Sequence, residues 1–148
     1  MSEDLRYERH INAPPETVFY AFTSPGGQEA FYAQDDPGWI VESVCDLRVG
    51  GIWAVTFGPT PTQLYRHRHV FQTIEPPVRV LMATREFRID GSTIDFTTEF
   101  TFADRDGRTL MTMIQSGFPT DELREEHGRG VVNAFNRLER FTGTMGVP

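Results

Sequence analysis

The sequence predicts an α+β domain in which an antiparallel sheet curls around a single C-terminal helix. Three observations carry this. A period of two runs through most of residues 39–115, punctuated at short spacing by glycine and proline clusters that favour hairpins. One helical stripe follows Pro119. A lone helix with one apolar stripe must bury it, and the sheet is the only surface large enough.

Leu5 to Ile11 reads as a first strand, with Leu5, Tyr7 and Arg9 alternating against Arg6, Glu8 and His10. Ala13-Pro14-Pro15 breaks it, and prolines suit the first turn of a helix. Val18, Phe19, Ala21 and Phe22 then form a short amphipathic helix that Ser24-Pro25-Gly26-Gly27 ends. Gln28 to Ala33 is expected as a second short helix. Trp39–Asp46 and Ile52–Phe57 are strands around the turn Arg48-Val49-Gly50-Gly51. Gly58 to Pro61 reads as a loop, Leu64–Ile74 as a strand, and Glu75-Pro76-Pro77 as a turn. Arg79–Arg88 precedes the hairpin turn Asp90-Gly91. Ile94, Phe96, Thr98, Phe100 and Phe102 then alternate with Thr93, Asp95, Thr97, Glu99 and Thr101, the mark of a half-buried strand. Thr109–Gln115 completes the sheet. Thr120 caps the last helix, with Asp121 and Glu122 at its positive end. Leu123, His127, Gly130, Ala134, Leu138 and Phe141 form its stripe over about 20 residues, roughly 30 Å.

Size and composition narrow the function classes. The 148 residues fit one domain spanning 1–148. The net charge is -7, which argues against nucleic acid as a partner. All fourteen basic residues are arginine, so lysine chemistry is excluded. A single cysteine, Cys45, can form neither an internal disulfide nor a thiolate cluster, and suits a reducing compartment. No stretch approaches the ~18 apolar residues of a membrane span. The N-terminal residues lack the apolar run of a signal peptide. The expectation is a cytoplasmic protein with no membrane or nucleic-acid partner; a homodimer is allowed.

Several residues could carry chemistry. Gly130 and Ala134 leave the middle of the helix thin, through close backbone packing or through space left for a ligand. Arg66-His67-Arg68-His69 places the arginines on one face of a strand and the histidines on the other. The histidines suit a solvated face, since a metal site lacks an evident third ligand. Inward-facing Arg66 and Arg68 would instead make a pocket partly cationic. His127 on the helix stripe is either a hydrogen-bonded core residue or an acid–base group. Trp53, Phe57, Phe96 and Phe100 are expected to line a cavity, joined by Met111, Met113 and Phe135 and, from the thin part of the helix, Val131 and Ala134. Trp39 and Phe31 are expected at its entrance. No nucleophile elbow, zinc-protease motif or phosphate loop occurs. No metal or cofactor is called for.

Three stretches carry a family likeness: Ile11-Asn12-Ala13-Pro14-Pro15-Glu16-Thr17-Val18-Phe19, Asp46-Leu47-Arg48-Val49-Gly50-Gly51-Ile52-Trp53 and Ile74-Glu75-Pro76-Pro77-Val78-Arg79. With Gly130 in the last helix, they resemble the SRPBCC, or START-like, helix-grip superfamily of lipid-transfer domains, polyketide aromatase/cyclases and birch-pollen-type allergens. The closer likeness is to the branch named after the activator of the heat-shock-protein-90 ATPase homologue. Val131 stands where a tryptophan commonly follows the helix glycine. The co-chaperones behind the branch name carry a further domain. The resemblance implies a cavity between sheet and helix, and three roles follow. The first is binding of a small, mostly apolar or aromatic molecule. The second is polyketide cyclase- or aromatase-like catalysis involving His127, Arg66, Arg68 and Tyr65. The third is a protein-interaction module.

Overall fold

The computed structural model describes residues 3–34 and 36–145. Its order is strand, two short helices, six strands, long helix, as the periodicity predicts. The elements are β1 (Leu5–Ile11), α1 (Pro15–Thr23), α2 (Pro25–Tyr32), β2 (Ile40–Cys45), β3 (Ile52–Thr60), β4 (Gln63–Glu75), β5 (Arg79–Phe87), β6 (Thr93–Arg105), β7 (Arg108–Ser116) and α3 (Asp121–Met145). The seven strands form one antiparallel sheet in the order β1-β7-β6-β5-β4-β3-β2. Six of them are a continuous meander. α1 and α2 carry the chain from one edge strand, β1, to the other, β2. The sheet curves as a half-barrel around α3.

Two of the boundaries that differ from expectation do so for a clear local reason. α2 begins at Pro25 rather than Gln28, because Ser24 serves both helices. Its backbone N–H donates to Ala21 O, closing α1, and its Oγ accepts the Gly27 N–H at 3.1 Å, opening α2. A Cβ on Gly27 would lie 1.8 Å from Ala21 O, so only glycine allows so abrupt a joint. β3 runs on through Gly58–Thr60, read from sequence as a loop, because a register shift after Phe57 lets Pro59 sit where no ladder hydrogen bond is required. The Arg48–Gly51 turn forms as expected. Gly50 takes φ +82°, and a Cβ on Gly51 would meet Asp46 O at 2.2 Å.

Alternation decides the two faces of the sheet. On β6, Ile94, Phe96, Thr98, Phe100 and Phe102 are buried. On the outside, Glu99 pairs with Arg79 and Asp95 with Arg85 across the β5–β6 ladder. Thr120 Oγ1 accepts the Leu123 N–H, capping α3. The helix buries itself unevenly. Val131, Ala134, Phe135, Leu138 and Thr142 are buried, whereas Leu123 and His127 are only partly so and Gly130 is exposed.

The C-terminal half of α3 packs where α1 and α2 also cover the sheet. Phe22 of α1 sits at the centre of that core, 2% exposed, with ring centroids of Phe31, Trp53, Phe100 and Phe102 4.5–6.2 Å away. A smaller cluster of Ile94, Phe96 and Phe118 closes the other end. Truncation of Phe22 opens a void that four neighbouring rings cannot fill. Phe22→Ala is expected to cost about 3–5 kcal/mol of stability, read from the urea midpoint.

Candidate functional site

Between the two apolar clusters the inner face of the sheet turns polar. The inward row of β5 runs Val80, Met82, Thr84, Glu86. The β4–β5 register sets His67 opposite Glu86 and His69 opposite Thr84. Alternation therefore points His67 and His69 inward, 6% and 1% exposed, and Arg66 and Arg68 outward. Both expectations for this run are corrected. The histidines are not on a solvated face, and the arginines do not reach the cavity. The physical reason is pairing: each inward histidine meets a hydrogen-bonding partner across the strand, whereas inward arginines would be unpaired buried charges. Outside, the Arg66 guanidinium lies over the Phe87 ring at 5.6 Å.

Glu86 gathers the cluster. His67 Nε2 lies 2.6 Å from its Oε1, and His127 Nε2 of α3 lies 3.1 Å from the same atom. Arg88 Nη1 donates to the other oxygen at 2.6 Å, and its Nη2 reaches Glu126 at 2.9 Å. From the end of α2, the Tyr32 hydroxyl sits 2.8 Å from His67 Nδ1 and 3.0 Å from His69 Nε2. His69 Nδ1 in turn lies 2.7 Å from Thr84 Oγ1, which is 3.0 Å from Thr98 Oγ1.

Ionisation states give this chain a direction. Burial by itself would raise Glu86; the neighbouring His127 and His67 outweigh it and hold the carboxyl well below the usual carboxylate range. Burial pushes His67 and, further, His69 below the ordinary imidazole range, so both are neutral. Burial, then the Glu86 charge, raises the Tyr32 phenol, which keeps its proton. An ionised carboxylate can only accept, so His67 donates from Nε2 and accepts at Nδ1. Tyr32 must then donate to His67 and accept from His69 Nε2–H. His69 accepts at Nδ1 from Thr84, which accepts from Thr98. One orientation satisfies every link from Thr98 to Glu86. No buried side-chain nitrogen or oxygen among the described residues lacks a partner.

This polar wall faces a cavity of about 240 Å³ between the sheet and α3. Phe31, Tyr32 and Trp39 line it from the α2 side. Phe57, Tyr65, His67 and Glu86 line it from β3, β4 and β5, and Met113 and Gln115 from β7. His127, Gly130, Val131 and Ala134 close it from α3. The exposed Gln34 and Gly130 mark its mouth. A Cβ on Gly130 would meet nothing within 4 Å, so the thin part of the helix borders open space rather than close-packed backbone.

Of the expected lining residues, Phe57, Met113, His127, Val131 and Ala134 lie on the wall, as do Phe31 and Trp39, expected at the entrance. Trp53, Phe96, Phe100, Met111 and Phe135 do not line it. They are packed in the apolar clusters, because Phe22 and Phe31 from the short helices, and Phe118, occupy the space beside them. Tyr32, Glu86, Arg88 and Gln115 were not anticipated. Glu86 was legible in the alternation of Val80, Met82 and Thr84; Tyr32 had no sequence signal, since only the path of α2 brings it over β4. Among the described residues no group of three histidine, cysteine or acidic side chains is arranged to hold a metal. No helix among them is long and apolar enough to cross a membrane.

Sheet, paired short helices and long closing helix together define a member of the SRPBCC helix-grip superfamily. Within it, the chain belongs to the family of activator of Hsp90 ATPase homolog 1-like proteins, whose model matches residues 12–143. Among solved structures, a Chromobacterium violaceum protein is similar at 23% identity and a TM-score of 0.82, over 94% of this chain and 96% of its own. A Mesorhizobium loti protein shares 19% identity with a TM-score of 0.78, over 98% of this chain and 100% of its own. An Arthrobacter aurescens protein shares 18% with a TM-score of 0.78, over 95% and 86%. At these identities the likeness concerns the fold alone. No curated protein sequence matches the chain.

Two measurements check the site. As pH falls through the ordinary imidazole value of 6.5, the unfolded chain protonates His67 and His69 while the folded chain holds them neutral. The unfolded state then binds more protons, so stability is full above pH 6.5 and declines below it. Glu86 adds the same sign below its ordinary 4.5, where the unfolded carboxyl protonates first. A pH series of urea midpoints should show this fall, and His69→Gln should flatten part of it. Gly130→Ala, adding a methyl to open space within a helix, should raise stability by about 1 kcal/mol in the same assay.

Proposed function

We propose that the protein binds a small, mostly apolar or aromatic, uncharged molecule with one hydrogen-bonding group, in the cavity between the sheet and α3. One observation carries the reading: Gln115 is only 8% exposed, lines the cavity, and its amide has no hydrogen bond among the described residues. Among the described residues no buried polar side-chain atom is left without a partner, so that amide opens onto the cavity. A sealed core would not keep an unpaired amide, because a buried polar group without a partner costs about 1–3 kcal/mol. Tyr65 offers a second free group. Its ring stacks on Phe57, and its hydroxyl has no partner among the described residues.

Volume and charge describe the occupant. An apolar cavity of ~150 Å³ admits benzene. The 240 Å³ here suits a substituted or fused pair of rings. Arg88 is already engaged by two carboxylates, Glu86 and Glu126. Arg137 donates to the carbonyls of Ala30 and Phe31. A charged ligand would have to break one of these interactions; a neutral one meets the amide and hydroxyl directly. Phe57, Met113, Val131 and Ala134 supply the apolar surface, and methionine adapts to varied shapes.

The test is a thermal-shift screen with small neutral aromatics, followed by native mass spectrometry. A ligand at about 100 times its Kd adds about 2.7 kcal/mol and raises Tm by roughly 5–10 °C in a domain of this size. Val131→Trp, which puts an indole into the cavity, should weaken binding by at least about tenfold, or 1.4 kcal/mol, while the fold persists by circular dichroism. Unaltered affinity in that variant would place the ligand elsewhere.

A further inference from the structure

We infer that the cavity is also a proton-transfer site, in which His127 moves a proton at the carbon next to the carbonyl of a small cyclic or aryl ketone. This rests on the binding reading above and adds a reaction to it. His127 lines the cavity, its Nε2 lies 3.1 Å from Glu86 Oε1, and its Nδ1 has no partner among the described residues. A carboxylate beside one imidazole nitrogen orients the ring and directs the other nitrogen's lone pair outward as a base. Glu86 is itself fixed by His67 and Arg88, and His67 by Tyr32. Imidazole and carboxylate are therefore both held before any ligand arrives. A cluster serving stability alone has no need of a cavity wall, and a buried ionic group is often replaceable by apolar side chains at no loss.

The remaining free groups suit the other end of the reaction. The Gln115 amide donates to the carbonyl oxygen, and the Tyr65 hydroxyl is a second donor. His127 Nδ1 takes the proton from the adjacent carbon. The C–H electron pair becomes the C=C bond, and the carbonyl π pair moves onto oxygen as an enolate held by Gln115. The imidazolium formed beside the Glu86 carboxylate then returns its proton, to the same carbon or to the vinylogous one of an enone. The first outcome is exchange and the second is isomerisation. Neither changes the oxidation state, and the imidazole is regenerated.

The experiment follows loss of the α-proton signals of 2-indanone and 2-tetralone in D2O by proton NMR. Thermal shift is read in parallel with both ketones and with 2-naphthol, a similarly sized phenol that has no ketone α-proton. The wild-type protein is expected to exceed the rate with equimolar free imidazole by about 100-fold or more. His127→Gln should return exchange to that background while a ligand-induced thermal shift is still measurable. Gln115→Leu, on a different element, should lower exchange by about 100-fold through loss of the oxyanion donor, and keeps the test decisive if the helix variant fails to fold. A thermal shift with 2-naphthol but no accelerated exchange of either ketone overturns the inference and leaves the binding reading standing. No shift with any of the three overturns both. Exchange that survives intact in either folded variant overturns the roles assigned.

Discussion

A carboxylate set inside a sheet must be surrounded by donors, and Glu86 imposes that demand on four parts of the chain at once. β4 supplies His67, α3 supplies His127, and Arg88, at the end of β5, supplies the counter-charge. α2 enters through Tyr32, which closes the other side of His67 and also engages His69. Removing Arg88 or Tyr32 would leave a buried atom of Glu86 or His67 unpaired, at a cost comparable to a large share of the few kcal/mol by which a domain is stable. The cluster thus fixes where α2 ends and how closely the first half of α3 approaches the sheet.

That approach distance is what makes a cavity. Over its second half, α3 lies on an apolar surface thickened by Phe22, Phe31 and Trp53, and its side chains are sealed. Over its first half it meets the histidines and glutamate of the polar cluster, held in place by their hydrogen bonds, and the unpaired Gln115 amide. Gly130, exposed and without near neighbours for a Cβ, leaves the gap between these two regimes open. Val131 keeps it so from the next position.

Most of the architecture was legible in the sequence because it depends on periodicity. The alternation of Ile94 to Phe102 and the spacing of the α3 stripe set the two surfaces that meet. The Gly58–Thr60 extension of β3 escaped because a bulge rescues Pro59, which no local pattern announces. The site was less legible. His67 and His69 could be separated from Arg66 and Arg68, but alternation does not say which pair faces inward; that depends on Glu86 and Thr84 lying opposite on β5. Large apolar residues such as Trp53 and Phe100 look like cavity lining in sequence, yet size also makes them fill the core first. The cavity wall fell instead to residues with polar neighbours.

The contrast between the two ends of α3 also bears on what the family assignment means. The three glycine- and proline-bearing stretches that carry the resemblance to the family lie around α1, the β2–β3 turn and the β4–β5 turn. Those parts position the sheet and cover one end of it. None of them contributes Glu86, His127, Tyr32 or Gln115, which come from the middle of β5, the first half of α3, the end of α2 and β7. Apart from Gly130, which borders the cavity, the residues that carry the sequence likeness are thus separate from its polar wall, and a shared fold leaves that chemistry free to vary. Ligand and reaction must therefore be argued from the polar wall itself, where a directed chain of hydrogen bonds ends on one ionised carboxylate and two side-chain groups, the Gln115 amide and the Tyr65 hydroxyl, are left for something else to bind.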